Sequence, residues 1–198
     1  MKKYIISFFI TLILLGFVSS ETVKDLAGRK IVMIIAPSDF RDEEYQKPRE
    51  LFEKKGLIVT VASSVLTVSK GMSGLEVKPD MLMEKINTSE FDGIVFIGGT
   101  GAREYWDNKT AHKIAKDSIK HKKVLGAICL APVILARSGV LKNKRATCFG
   151  PVKDKIIESG AKYIGSLVEI DGNIITANGP LASETFAKDI LEAILKNK

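Results

Sequence analysis

The stretch "KKVLGAICLAPVILARSGVL", residues 122–141, joins two apolar runs through one cysteine. Val124 to Ile128 is uninterrupted by polar residues and starts after two lysines, which predicts a short strand covered on both faces. Ala131 to Ser138 predicts a helix that ends near Gly139. Pro132 falls in its first turn, where a missing N–H costs nothing. Cys129 occupies the turn between strand and helix. A buried strand leading straight into a helix is the opening of a βαβ crossover, and its carboxyl end is where ligand crevices of parallel sheets lie.

The same pattern recurs on either side. "IVMIIA" (residues 31–36), "LIVTVAS" (57–63) and "FDGIVFIGG" (91–99) predict three further strands, the first and third as continuous apolar runs. Helices are expected over Glu43–Lys55, despite Pro48 in its first turn or at a kink, then over 110–121, over 152–159 and from Ala182 to Leu195. "VLTVSKGMSGLEVKP" predicts a hairpin excursion, "RATCF" a short strand, and "SLVEIDGNIITA" a hairpin with Asp171-Gly172 at its turn. Strands alternating with helices predict one α/β domain, a mostly parallel sheet between two helical layers.

The chemistry of the cysteine turn follows from its neighbours. A nucleophile at a strand-to-helix turn needs small residues around it, and here stand Gly126, Ala127 and Ala131. The helix N-terminus is expected to lower the thiol pKa, and the Leu130 N–H faces any oxyanion formed beside the sulfur. Against this, a free cysteine is among the most buried residue types and is usually inert. The glycine pair of "VFIGGTGAREYW" fails the G-x-G-x-x-G dinucleotide spacing, so it reads as a plain turn or as a second donor through the Gly99 N–H. In "SDFRDEEYQKPRE" an inward carboxyl beside Cys129 would be kept protonated by burial. Asp42, Glu43 and Glu44 all qualify on sequence alone.

The chain ends bound the setting. Lys2 and Lys3 precede "YIISFFITLILLGFV", residues 4–18, and Val18 and Ser20 suit a cleavage site. Residues 1–20 are expected to be a signal cleaved after Ser20 or an uncleaved membrane anchor, 21–29 a linker, and 30–198 the folded domain. The working compartment is then extracytoplasmic: secreted, periplasmic or cell-surface. No cysteine follows the apolar run, which excludes a cysteine lipid anchor. The net charge of +7 is concentrated in residues 108–123, where Lys109, Lys113, Lys116 and Lys120 recur at helical spacing opposite Ile114 and Ile119. Without interleaved aromatics this is a solvated face and no nucleic-acid surface. Only His112 and His121, with Cys129 and Cys148, are available as soft ligands, and their spacing matches no metal motif. No metal and no cofactor are expected.

These segments together resemble the DJ-1/PfpI family, within the class I glutamine amidotransferase-like superfamily. "GAICLAPVILARSGVLKNKRAT" is similar to its nucleophile elbow, "GGTGA" to its glycine loop, and "VEIDGNIITANGPLASETFA" to the segment before its last helix. The family's functional glutamate stands four residues before a proline and twelve before a glycine, as Glu44 does to Pro48 and Gly56. The resemblance implies a flavodoxin-like three-layer α/β/α sandwich, a homodimer or larger, and a reactive Cys129 paired with protonated Glu44. It further implies backbone donors at Gly99 and Leu130, with glyoxalase, deglycase, peptidase, chaperone or redox-sensing activity on small electrophilic carbonyl substrates or oxidants.

Two departures shape the expectation. Peptidase members carry a histidine directly after the cysteine, where this chain has Leu130, and other members carry one near Phe149. A cysteine peptidase (the C56-like reading) is therefore disfavoured, and a non-catalytic binding or chaperone-like domain remains an alternative to carbonyl or oxidative-stress chemistry. If Phe149 lines the pocket, strand alternation turns Cys148 away from it.

Overall fold

A computed structural model describes residues 26–197. The proposed signal and its cleavage point lie outside the described residues. Leu26, placed in the expected linker, is already buried in the core.

The main sheet has seven strands. In chain order its members are β1 (Lys30–Ile34), β3 (Ile58–Ser63), β6 (Met81–Leu82), β7 (Gly93–Phe96), β8 (Val124–Ile128), β11 (Val168–Asp171) and β12 (Ile174–Ala177). They lie in the order β11-β12-β8-β7-β1-β3-β6, all parallel except the β11–β12 hairpin. The apolar runs earn no solvent: Ile31, Val32, Met33, Ile94, Val95 and Leu125 are wholly inaccessible, as strands covered on both faces must be. The covering layers are α1 (Asp42–Lys54) and α5 (Ser183–Lys196), packed together on one face, and α2 (Lys109–Lys120) with α3 (Pro132–Arg137) on the other. A fifth helix, α4 (Lys153–Glu158), packs on α3. This is the parallel sheet between helical layers expected from the alternation of elements, in the flavodoxin-like arrangement that the family resemblance implies.

Several details differ from expectation. Pro48 is the seventh residue of α1, not in its first turn, so its missing N–H leaves the Glu44 carbonyl without a helical partner. On α2 the buried side is Ala111, Ile114, Ala115 and Ser118, while Ile119 is 40% exposed. Gly126 is small for α5, not for the turn: a Cβ there would stand 2.9 Å from both Ile190 Cδ1 and Phe186 Cζ. Two small sheets were not legible as such. Strand β2 (Ser38–Phe40) pairs with the excursion hairpin β4 (Ser69–Gly71) and β5 (Glu76–Val77), and β9 (Arg145–Ala146) pairs with β10 (Lys162–Tyr163).

Asp42 fastens that hairpin to α1. Its buried carboxylate accepts the N–H groups of Ser73 at 2.8 Å and Leu75 at 2.9 Å. Burial alone would raise its pKa, but these two donors outweigh it and hold the group below its usual 3.8. Asp42→Ala should therefore cost about 1–3 kcal/mol, read as a lower urea midpoint at pH 7. Because the folded pKa is depressed, that contribution is present above pH 3.8 and fades as pH falls below it, so the two midpoints should converge in acid. Midpoints that stay equally far apart at pH 7 and in acid would count against it.

Candidate active site

The parallel strands β8, β7 and β1 stand side by side, and the loops at their carboxyl ends supply the site. Cys129 follows β8 directly and adopts φ = 62°, a left-handed conformation that a residue with a Cβ rarely takes. Its backbone is held on both sides, the N–H donating to the Ala177 carbonyl at 2.8 Å and the carbonyl accepting from the Phe149 N–H at 2.9 Å. The strained turn is thus locked by β12 and by the segment after β9.

From β7 come Gly98 and Gly99. A side chain at Gly98 would run into the Glu44 carboxyl and stand 2.6 Å from the Cys129 Cβ and from the Ile128 carbonyl oxygen. The glycine is what lets Glu44 and Cys129 meet. The Gly98 carbonyl in turn accepts from the Arg41 N–H at 3.1 Å, which fixes the entrance of α1 against the site.

Among the three candidate acids, the helix sorts them by direction. Asp42 turns to the hairpin. Glu43 is half-exposed and paired with Arg41 at 2.7 Å. Glu44 is fully buried beside the cysteine, and neither of its oxygens has a hydrogen-bond partner of ordinary geometry. Burial pushes its pKa up to about 8, against the opposing pull of the Cys129 thiol, the Arg41 charge and the Gly98 N–H. At neutral pH Glu44 is a protonated carboxyl able to donate.

The thiol itself departs from the expectation of a lowered pKa. It is only 8% exposed, and burial first, then a Glu44 carboxylate, push it up to about 12, while the Gly99 and Leu130 N–H groups pull it down. Helix α3 has only six residues, too short a dipole to offset that desolvation. With Glu44 protonated the second cause disappears, and the neighbouring carboxyl changes from repelling a thiolate to donating to it.

Above the cysteine lies a pocket of about 290 Å³ whose walls are Arg41, Met72, Thr100, Leu130, Phe149 and Pro180. Met72, Arg41 and Thr100 were not foreseen; they arrive from the hairpin, the β2–α1 join and the loop after Gly99. Phe149 lines the pocket and Cys148 is fully buried outside its lining; both cysteines are free. The histidines serve elsewhere: His112 Nε2 meets the Trp106 carbonyl oxygen at 2.7 Å and His121 Nδ1 meets Thr88 Oγ1 at 2.7 Å. A larger open groove of about 380 Å³ between α1 and the β4–β5 hairpin contains neither cysteine nor Glu44. No cluster of metal-ligating side chains occurs among the described residues, and none of their helices is long and apolar enough to cross a membrane.

A strained cysteine at the carboxyl end of a parallel strand, facing a buried carboxyl and two backbone donors, defines a cysteine-elbow α/β protein. Residues 29–193 match the model of the DJ-1/PfpI family, and the chain belongs to that family. It is 39% identical to an uncharacterised protein of Methanocaldococcus jannaschii over 90% of this chain and 89% of the other. It is 33% identical to a protein of Pyrococcus abyssi named as a deglycase, over 75% of this chain and 90% of that one. Among solved structures, a ThiJ/PfpI domain protein from Brachyspira murdochii superposes with a TM-score of 0.84 at 28% identity, covering 87% of this chain and 99% of its own.

Proposed function

We propose that this protein detoxifies small reactive carbonyl compounds through Cys129, in the manner of a glyoxalase or deglycase. The observation that carries the reading is Glu44: a fully buried carboxyl without an ordinary hydrogen-bond partner, kept protonated beside Cys129 at the base of the pocket. An unpartnered buried polar group is costly unless something arrives to use it. A carbonyl oxygen seated between Glu44 and the Gly99 and Leu130 N–H groups would accept those donors.

As sulfur bonds to the carbonyl carbon, Glu44 gives its proton to the oxygen and the thiol proton passes to water, giving a hemithioacetal with no net oxidation and leaving Glu44 as carboxylate. For a 2-oxoaldehyde, that carboxylate would then take the proton from the sulfur-bearing carbon and return it to the neighbouring carbon, while the hydroxyl proton moves from the first oxygen to the second through water. The product is a 2-hydroxy thioester, which water hydrolyses to the hydroxy acid and the free thiol. The mostly apolar walls suit a short aldehyde, and no histidine base is required.

Methylglyoxal consumption and lactate formation by the wild type, both lost in Cys129→Ser and Glu44→Gln, is the expected result. Each variant should fall at least a hundredfold, the usual scale of removing a nucleophile or a general acid–base. Turnover that survives Cys129→Ser would sink the proposal.

The same three donors around one sulfur favour a second reading, redox sensing. Peroxide would transfer oxygen to the sulfur, its O–O bond breaking to leave water and a sulfenic acid, and a second equivalent would give a sulfinate held by Glu44 and the two N–H groups. Selective oxidation of Cys129 without turnover would support it. Peptidase action is disfavoured, because neither His112 nor His121 lines the pocket to act as a base for the cysteine.

Two further expectations belong here as proposals. Export or membrane attachment rests on Lys2-Lys3 and the apolar run 4–18, and N-terminal sequencing of the mature protein tests it. Assembly into a homodimer or larger is supported by Met72, Phe149 and Leu181 at or next to the pocket, which are 43%, 44% and 93% exposed, and light scattering tests that.

A further inference from the structure

At the end of the sheet opposite the Cys129 pocket, lysines gather on one face. Helices α1, α2 and α5 all stop there, because each runs back to the amino ends of the parallel strands. The turns at that end are stitched side by side. The Gly28 N–H donates to the Gly56 carbonyl at 3.0 Å, the Asp92 N–H to the Lys30 carbonyl at 2.7 Å, and the Val124 N–H to the Asp92 carbonyl at 3.1 Å. The Asn173 and Asn197 side-chain amides both donate to the Lys122 carbonyl, at 2.9 and 2.6 Å. One continuous face therefore carries Lys30, Lys54, Lys55, Lys120, Lys122 and Lys123.

Among the described residues none of these lysines is in an ion pair, and the acids around them are taken by other cations. Arg29 holds Asp92 and Lys144 holds Asp171, both at 2.8 Å, and Lys196 holds Glu192 at 3.3 Å. Glu90 is the exception, a carboxylate that meets the Asn87 amide. A lysine in the last turn of a helix answers its dipole, which accounts for Lys54 and Lys120. Lys30 opens β1, and Lys122 and Lys123 precede β8, so no helix explains them. Ile58 and Ile119 are half-exposed at the same end, and a cavity of about 310 Å³ has Ile119, Lys122, Lys123 and Asn197 in its wall. Cations around exposed aliphatic side chains suit a layer of anionic phosphates above hydrocarbon.

The chain itself says which polyanion this face meets. The described fold begins on it, at Leu26, and residues 19–25 alone separate Leu26 from the apolar run 4–18. Seven extended residues reach at most about 25 Å. A bilayer that holds the run therefore has this end of the domain within reach of its headgroups. We infer that the amino end of the sheet is a docking surface for an anionic phospholipid bilayer, which seats the domain with the Cys129 pocket turned to the aqueous side. The inference rests on the reading of residues 4–18 as a signal or anchor and not on what reaction Cys129 runs.

The full chain is mixed with vesicles of phosphatidylcholine, or of phosphatidylcholine with a third phosphatidylglycerol, and its lysines are acetylated and read by mass spectrometry. The anionic vesicles should slow acetylation of the face lysines at least about threefold relative to the neutral ones, and lose that effect in 1 M salt, where charges are screened beyond about 3 Å. Lys70 and Lys153, at the pocket end, should react alike on both. Combined Lys55→Gln, Lys122→Gln and Lys123→Gln should abolish the protection of Lys30, Lys54 and Lys120 without moving the urea midpoint. Equal acetylation of the face on the two vesicles would overturn the inference, even where the apolar run carries the chain onto both. Equal protection of Lys70 and Lys153 would overturn the orientation, and equal protection by single-stranded RNA would overturn the lipid assignment. A chain that floats with anionic vesicles alone, its face protected, would remove the anchor and leave the docking surface standing.

Discussion

Glu44→Gln should make the protein more stable than wild type at pH 8.5 and no more stable, or slightly less, at pH 5. The cause is linkage. Glu44 has its pKa raised by burial from 4.5 to about 8, so the folded state holds a proton that the unfolded chain releases between those values. A carboxyl raised in this way contributes its stability in full below pH 4.5 and loses it as pH climbs through about 8. Each pKa unit corresponds to about 1.4 kcal/mol, so the swing approaches about 5 kcal/mol, a large part of the about 5–15 kcal/mol a domain possesses. Glutamine stays neutral across the range and removes the swing. Other titrating groups cancel when urea midpoints of the two proteins are subtracted at each pH. Staying at or below pH 8.5 keeps the thiols, which titrate near 9 when unfolded, out of the difference. Midpoint curves that run parallel from pH 5 to pH 8.5 would refute the buried, protonated Glu44.

This result would also bear on catalysis. A glutamine has the size of Glu44 and can donate to a carbonyl oxygen, but cannot take a proton. A variant that is more stable at pH 8.5 and inactive on methylglyoxal would separate the cost of holding the carboxyl from its use. Stability would have been traded for a proton at the site.

How much of this was legible in the sequence depends on the range of the interaction. The buried strands were plain because a strand covered on both faces leaves an uninterrupted apolar run, as at Ile31–Ala36 and Val124–Ile128. Cys129 was findable for a local reason too, since it follows such a run directly and small residues flank it. The choice among Asp42, Glu43 and Glu44 was not local. Three consecutive helical residues point about 100° apart, and which one meets the sulfur is decided by how α1 docks. Only the resemblance to a family singled out Glu44 beforehand.

The same limit explains what was missed. Strand β2 is only the tripeptide Ser38–Phe40, too short to show a pattern, and its pairing with Ser69–Gly71 is a long-range event that no periodicity announces. Trp106 carried one faint signal, its uniqueness, but the partner of its N–H lies 24 residues away at Leu130. The thiol pKa was misjudged because a helix N-terminus is visible in sequence while the depth of burial is not. Where two opposing effects act on one group, the sequence displayed only the favourable one.

Gly99→Ala should be severely damaging both to stability and to the Cys129 site. Gly99 adopts φ = 93° and ψ = 169°, a region that only glycine enters without strain. A Cβ there would also overlap the backbone of the β2–α1 join, striking the Asp39 carbonyl oxygen and the Arg41 nitrogen and standing 2.7 Å from the Phe40 carbonyl carbon. Backbone atoms cannot swing aside as a side-chain tip would, so strain and overpacking add. Strain of this kind costs about 1–3 kcal/mol and overpacking about 1–3 kcal/mol more. Gly74→Ala isolates the first effect, because Gly74 has φ = 95° but open space around its missing Cβ. In urea, Gly74→Ala should lose about 1 kcal/mol and Gly99→Ala at least about twice that. Relief of the clash would require α1 to move outward, carrying Arg41 and Glu44 from the sulfur and displacing the Gly99 N–H. Cys129 alkylation should therefore change its pH profile in Gly99→Ala and keep it in Gly74→Ala. Equal losses of stability in the two variants would mean that the join between β2 and α1 yields freely, and that Glu44 is not held against Cys129 by the glycine pair.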